Sequence, residues 1–405
     1  MTSTIGVKKI QHTNGTQVMT FDTDGKISSN VSSTGNITTT GTVNTPSING
    51  GQISGRRNII INGAMQVAQR GTSSTSTSYA TVDRIMVRTN NLDQLAFTQS
   101  QSSTVPSGEG FSNSFKFEVT TQETALSGGE YANIQHRIEA QNLQSLAYGT
   151  SNAKKATLSF WVRSSLTGKY SVLFFAEDDT RSNTQSFTIS SADTWEHKTI
   201  TIDGDTTGVI DNNSGSGINI NFQLAAGSDY AGTPHSGWGA YAETDDFAFS
   251  DQVNFIAQTG TFYLTGLQFE LGSQATPFEH RSFGEELLLC QRYHYRIVGN
   301  EVNNASDGGF AVATNWDATY HFITLDFPVQ MRAGPSFSYG AALSDFLILT
   351  ASSTAEPTGF SINGASKQRC ELNLAKSGGF GSAGNSGWIR IVDDTNGFIA
   401  FDSEL

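Results

Sequence analysis

The segment SFKFEV, residues 114–119, decides the fold of this chain. Phe115, Phe117 and Val119 alternate with Ser114, Lys116 and Glu118. A period of two puts the apolar set on one side of an extended backbone and the polar set on the other. That is a strand in a sheet with one buried face and one wet face. The texture recurs in RIMVRT (84–89), ATLSFWVRS (156–164), YSVLFFAE (170–177), SFTIS (186–190), HKTITI (197–202), INFQL (220–224) and TFYLTGLQFEL (261–271). Many such segments, separated by Gly/Asn/Asp loops, predict a β-sandwich of jelly-roll type over residues 56–281. Within it, NIIINGAMQVAQRG (58–71) reads as a strand-like apolar run ending in a turn, and ANIQHRIEAQNLQSLA (132–147) as a short helix or a strand leading into one.

Composition agrees with an all-β reading. The chain has 405 residues, with 41 Gly, 7 Pro, 26 Phe and only 15% charged residues, a mixture that favours short strands and turns over helices. Two cysteines, Cys290 and Cys370, are too few for a disulfide framework, and no C-x-x-C or histidine cluster offers a zinc site. No cofactor is expected, and the question of a bound metal stays open. The first ten residues, MTSTIGVKKI, lack a leader pattern, and no stretch approaches the ~18 apolar residues of a membrane span, so a soluble, unexported chain without membrane insertion is expected. The formal charge is −13. It is uneven: six cations face two acids before Asp83, and 18 face 35 from there on. So acidic a body repels nucleic acid and anionic membranes.

Residues 1–55 carry their own pattern. Gly15, Gly25 and Gly35 fall ten apart, and Val31, Ile37, Val43, Ile48 and Ile53 recur at five or six. Turn signals joined by β-branched segments read as very short strands, and one copy could not bury enough apolar surface to offset its chain entropy. Two readings stay open: a fibrous segment ordered only when several chains wind together, each donating one isoleucine or valine per layer, or a flexible Ser/Thr linker. SFGEELLLCQRYHYRIV, from Ser282 to Val298, reads as a linking helix opened by a Ser282/Glu285 capping box. Leu287, Cys290, His294 and Ile297 follow in a 3-4-3 spacing. That stripe either packs on its own domain or, for Leu287, Cys290 and Ile297, forms a trimer contact. Residues 299–405 return to strand texture in GGFAVAT, TYHFITLDF, SFSYG, DFLILT, RCELNLA, WIRIVDD and GFIAFDSEL, predicting a small C-terminal β-sandwich whose last strand is tied into a sheet.

No motif demands an enzyme. GFGSAG (379–384) matches G-x-G-x-x-G, but a loop and a strand follow it where a dinucleotide site needs a helix. DGDTTG (203–208) begins like a calcium loop, yet Ser214 holds the twelfth position. Acid pairs at Glu177-Asp178-Asp179, Asp245-Asp246 and Asp393-Asp394 invite a polysaccharide-cleaving reading, against the plainer one of solvated turns. Aromatic residues are the remaining candidates, because a sugar's C–H face stacks on Trp or Tyr while amides and acids take its hydroxyls. The loop DYAGTPHSGWGAY (229–241) supplies Tyr230, His235, Trp238 and Tyr241, and its glycines make it the favoured group. Trp316, Asp317, Tyr320 and Trp388, with Asn315 and His321 beside them, form a second group in the last domain.

Three segments together, NIIINGAMQVAQRG (58–71), ATLSFWVRSSLTGKYSV (156–172) and FYLTGLQFELGSQATPFEHRSFGEELLLCQRYHYR (262–296), resemble the central module of tail-fibre or receptor-binding virion proteins of tailed bacteriophages, marine ones included. Asp83-Arg84, HKTITIDGDTTG and INFQLAAG are further landmarks, and the first residues, IGVKKIQHTNGTQVMTFDTDGKI, are similar to the start of phage virion proteins. The resemblance implies a virion-surface homotrimer that joins other tail or particle proteins through its N-terminus. Its β-domains would meet host cell-surface polysaccharide without catalysis. It carries no ligand residues with it, and the short N-terminus lacks the long β-helix of sugar-cleaving tailspikes. The alternatives are a purely structural component, such as a head fibre, decoration or tail adaptor protein, and a polysaccharide depolymerase.

Overall fold

The computed structural model describes the backbone of residues 9–11, 17–20, 47–48 and 51–52, and residues 56–405 except 300–307, 318, 341, 351–353, 377–382 and 393–396. It contains two compact units, Met1–Pro46 and Ser47–Leu405. In the first, Lys9–Gln11 pairs antiparallel with Gln17–Thr20. Val31, Ile37, Val43 and Ile53 lie outside the described residues, and Ile48 pairs with Gly51 across a two-stranded ladder.

The second unit is all-β. Its first part contains β1 (Met86–Asn90), β2 (Ala96–Ser102), β3 (Ser114–Thr121), β4 (Tyr131–Glu139), β5 (Ala156–Ser164), β6 (Gly168–Ala176), β7 (Arg181–Ile189), β8 (Glu196–Ile202), β9 (Ser216–Ala226) and β10 (Gly260–Leu271). The first sheet runs β8-β5-β10-β3-β2 and ends on the short strand Ser73–Ser74; the second runs β7-β6-β9-β4-β1, with Gly239–Ala240 on the β7 edge. Every pairing within both is antiparallel, and the chain passes repeatedly from one sheet to the other. This is the expected sandwich. Phe115, Phe117 and Val119 all reach the core between the sheets, where Phe160, Phe174, Phe222, Phe262 and Phe269 meet them. On the other side of β3, Lys116 pairs with Glu118 at 2.7 Å. The 132–147 segment is a strand leading into a 3-10 helix, Ala140–Leu146.

The 58–71 run corrects the sequence reading, because it is buried but forms no strand. In place of a regular ladder, its polar backbone is met by side chains and by single backbone bonds from Ile59 to Phe269 and from Leu267 to Gly63. Asn58 accepts from the amides of Ile60 and Phe269 and donates to the Leu267 carbonyl. Asn62, at φ 61°, bonds both the amide and the carbonyl of Val67. Glu279 receives the amides of Arg57 and Asn58, and Glu286 that of Asn62. A Cβ on Gly63 would stand 2.1 Å from the Leu267 carbonyl oxygen, so only glycine lets the segment lie against β10. The first and third segments of the phage-type resemblance are thus one packed assembly.

The helix α1 spans Phe283–Gln291 and opens with the expected capping box. It does not continue to Val298. Tyr-His-Tyr-Arg-Ile-Val is dense in aromatic and β-branched residues, and His294–Val298 forms strand β11 against the chain's final strand. The helical stripe Leu287/Cys290/His294/Ile297 therefore does not exist. Cys290 is buried with Ile61, Val67 and Tyr293, Leu287 packs beside them, and Ile297 packs on the C-terminal core.

Strands β12 (Gly308–Asn315), β13 (Tyr320–Asp326), β14 (Ser336–Tyr339), β15 (Phe346–Thr350), β16 (Gly359–Ala365), β17 (Arg369–Ala375), β18 (Ser386–Ile391) and β19 (Phe398–Asp402) complete the fold. A three-stranded sheet, β11-β19-β14, faces a seven-stranded one, Thr354–Ala355 then β15-β18-β12-β13-β17-β16, around Phe346, Leu372, Ile389 and Phe401. The second sandwich and its tied terminal strand are as expected.

A buried network of charges joins the two sandwiches. Arg84, 1% exposed, is ion-paired with Glu404, lies with its guanidinium 3.7 Å from the Tyr293 ring centre and donates to the Arg137 carbonyl. Arg70 meets Asp402 at 2.5 Å and Glu404 at 3.1 Å. Glu139 takes Arg292 at 2.6 Å and the Tyr293 hydroxyl at 2.7 Å. Arg332 holds the carbonyls of Ser403, Glu404 and Ser214.

Candidate functional site

The favoured loop, 229–241, is tied down rather than presented. Trp238 donates its indole N–H to the Asp203 carbonyl at 2.8 Å and packs edge-on against Tyr148. His235 stands 2.6 Å from Asp246 and 3.0 Å from the Ser182 carbonyl. Tyr230 packs on Tyr131 and Phe247. The loop crosses the outer face of the second sheet, and Tyr241 lines a cleft there.

That cleft has a volume of about 290 Å³. Its floor is two rows of side chains running across three strands. Phe175 of β6, Asn219 of β9 and Arg137 of β4 form one; Leu173, Asn221 and Gln135 form the next. The rows exist because β9 alternates Ile218, Ile220 and Phe222 toward the core with Asn219, Asn221 and Gln223 away from it. The amides hold one another. Gln135 donates to Asn221, Arg137 Nε to Gln135 at 2.8 Å, and Asn219 to Glu177 at 2.6 Å. Tyr131, Tyr241 and Phe247 wall the cleft, Phe175 stacks edge-on with Tyr241, and Arg88 bonds the Tyr131 hydroxyl. Burial and the nearby Glu243 push the Tyr241 hydroxyl well above its ordinary pKa, so it stays a neutral donor. Arg88 and Arg137 balance Glu177 and Glu243 among the lining charges. Rings beside a fixed set of amides and guanidinium groups suit a ligand with alternating C–H and hydroxyl surface.

The second sequence group behaves differently. Trp316 is 71% exposed, Trp388 60% and Tyr320 40%. Trp388 lies between Val312 and Leu349 on adjacent strands of the seven-stranded sheet, and Trp316 packs edge-on against Phe322. Asp317 is used locally, accepting from the Thr319 amide and hydroxyl and the Tyr320 amide, and these bonds hold its carboxyl below the usual range.

The carboxylate clusters are largely committed to their own backbone. Glu177 takes Asn219, Asp178 the Asp211 amide and Asp179 the Val209 amide. Asp246 takes the Ala242 amide. Asp205 of the calcium-like loop faces Arg181 at 2.6 Å; burial opposes ionisation there, but Arg181 and two backbone amides hold its pKa down. That cation stands where a calcium ion would need ligands. Among the described residues, no three His, Cys, Asp or Glu side chains gather as a metal site, and no helix is long and apolar enough to cross a membrane. Asp393 and Asp394 lie outside the described residues.

No family model and no curated protein matches the chain. Among solved structures it is similar to the enzymatically active domain of tailspike protein 4 of bacteriophage CBA120, at 13% identity and a TM-score of 0.29, over 53% of this chain and 21% of that one. The chain thus spans about a fifth of that tailspike domain. It is also similar to the family 11 carbohydrate-binding module of Clostridium thermocellum in complex with a β-1,3-1,4-mixed-linked tetrasaccharide, at 13% identity and a TM-score of 0.25, over 52% and 98% of the two chains. A family 61 carbohydrate-binding module in complex with β-1,4-galactotriose shares 10% identity and a TM-score of 0.25, over 54% and 100%.

Proposed function

We propose that this chain is a virion attachment protein of a tailed phage that binds host cell-surface glycans without cleaving them. The observation that carries the glycan reading is the cleft on the second sheet, where two cross-strand rows of amide, guanidinium and aromatic groups are framed by Tyr131, Tyr241 and Phe247. The segments at 58–71, 156–172 and 262–296 support the phage assignment through their resemblance to tail-fibre-type proteins. Non-catalytic binding fits the use of Glu177, Asp178 and Asp179 as acceptors for neighbouring amides. A homotrimer built through residues 1–55 would turn three weak sites into avid attachment.

The test is the full chain on an array of bacterial surface polysaccharides, alongside the Tyr241→Ala variant. Retention of at least one polysaccharide by the wild type, loss in the variant and no release of reducing ends support the reading. Equal retention by both proteins removes the cleft from it, and cleavage replaces it with a depolymerase. Light scattering checks the assembly against three times the 43.4 kDa chain mass.

A further inference from the structure

The opposite face of the central sandwich carries a second concavity that neither the attachment reading nor the aromatic loops use. On the outer side of the first sheet, Trp161 of β5 faces His197 of β8 across the ladder, with ring centres 5.2 Å apart. Two residues along β5, Arg163 faces Tyr263 of β10, and Trp195 lies 6.0 Å from the Tyr263 ring. A strip of rings therefore runs along this face.

At the Trp161 end the strip opens into a cavity of about 590 Å³. Phe111, Phe278 and His280 close its far wall as a mutually packed trio, with centres 4.9 to 5.2 Å apart. A backbone irregularity creates the space. The β5–β10 register shifts between Ser159 and Trp161, and Gly266 takes φ 63° at that point. A Cβ there would stand 2.7 Å from Phe111 and 3.2 Å from Trp161. Glycine thus keeps the floor open between the two rings.

We propose that this cavity is a second saccharide site, one that takes an uncharged hexopyranose, stacks it on Trp161 and bonds its hydroxyls through His197, His280 and Glu109. It rests on the glycan-binding reading above but uses a different sheet. The volume lies within the ~300–1,000 Å³ of ligand clefts. Polar groups set between rings inside a concavity suit a sugar, whose C–H faces and hydroxyls alternate. The lining holds the carboxylate Glu109 and no Lys or Arg, and burial lowers the His197 pKa despite Glu109, favouring the neutral imidazole. Of the guanidinium groups around it, Arg57 is turned onto the Thr276 hydroxyl and the Pro277 carbonyl, and Arg163 is engaged by Asp193. An acidic sugar would meet the Glu109 carboxylate in this lining.

The experiment titrates the full chain and its Trp161→Ala, His197→Ala and Tyr241→Ala variants by calorimetry. The probes are maltohexaose, cellohexaose, a β-1,4-galactan oligosaccharide and, as the charged control, polygalacturonate. The expected result is a neutral oligosaccharide whose binding survives Tyr241→Ala and weakens at least about tenfold, equivalent to ~1.4 kcal/mol, in Trp161→Ala, with polygalacturonate insensitive to Trp161→Ala. His197→Ala, at an exposed position, gives the same direction with the ring strip intact. Neutral-sugar binding lost in Tyr241→Ala but unchanged in Trp161→Ala overturns the second site and leaves the cleft standing. The reverse pattern is the expected one, and the cleft is judged separately by the polysaccharide array with Tyr241→Ala. No neutral binding by the wild type, or a change of oligomeric state in Trp161→Ala without one in sugar affinity, overturns the proposal.

Discussion

Replacing Glu404 with alanine removes the only carboxylate paired with Arg84 among the described residues. Arg84 is 1% exposed and Glu404 7%, so the guanidinium would stay in a water-poor seam with its charge unbalanced. Breaking a buried pair from one side costs roughly 3–5 kcal/mol. Two contacts that survive the change place the expected loss at the low end: the Tyr293 ring 3.7 Å from the guanidinium and the Arg137 carbonyl. Arg70 keeps Asp402 at 2.5 Å. A loss of ~3 kcal/mol in a unit of this size lowers the melting temperature by about 6 °C, at ~2 °C per kcal/mol. Differential scanning calorimetry at neutral pH measures it. Glu404→Gln, which keeps an acceptor but no charge, should fall between the two. The double variant Arg84→Met/Glu404→Leu should recover most of the loss, because desolvating the pair offsets much of its attraction. A shift under about 2 °C for Glu404→Ala, with no recovery in the double variant, would refute the view that this pair fastens the sandwiches.

Burial pushes the His136 pKa down to about 3. The unfolded chain therefore binds the extra proton first, and this group's contribution to stability is full above about pH 6.5 and lost as the pH falls from there toward 3. The loss is ~2 kcal/mol at pH 5, and urea unfolding of His136→Gln should show a flatter pH slope between 5 and 6.5. Cys290 and Cys370 are both buried, and burial pushes Cys370 up to about 12 and Cys290 well above its ordinary value; a disulfide-exchange reagent at pH 8 should label neither until denaturant is added. Gly63→Ala drives a methyl into the Leu267 carbonyl and should cost ~2–3 kcal/mol, read as a shifted urea midpoint. Ser282→Ala removes half of a capping box, and a loss of ~1 kcal/mol in the same assay is expected.

Alternation was the most readable feature of the chain. SFKFEV forecast which of its side chains reach the core because a sheet with one covered face imposes period two directly on the sequence. NIIINGAMQVAQRG misled for the opposite reason: an apolar run shows burial but does not show what satisfies its backbone, and here the partners are Glu279 and Glu286, more than 200 positions away. YHYRIV shows propensity overriding a helical spacing once the final strand is available to pair with it. At the candidate site, the glycines around Trp238 argue against burial, and its half-buried indole is anchored to the Asp203 carbonyl. The cleft leaves a trace in the sequence. Asn219, Asn221 and Gln223 line the outward side of one strand, an unusual row of amides for a plain solvated face. The cavity beside Trp161 left little trace, since it arises from a register shift at Gly266 and from rings brought in by distant loops.

The Arg84–Glu404 pair spans 320 positions of sequence. Loop-closure entropy has to be met before a contact between positions so far apart rewards it, so the seam is expected to close after the local hairpins of each sandwich have formed.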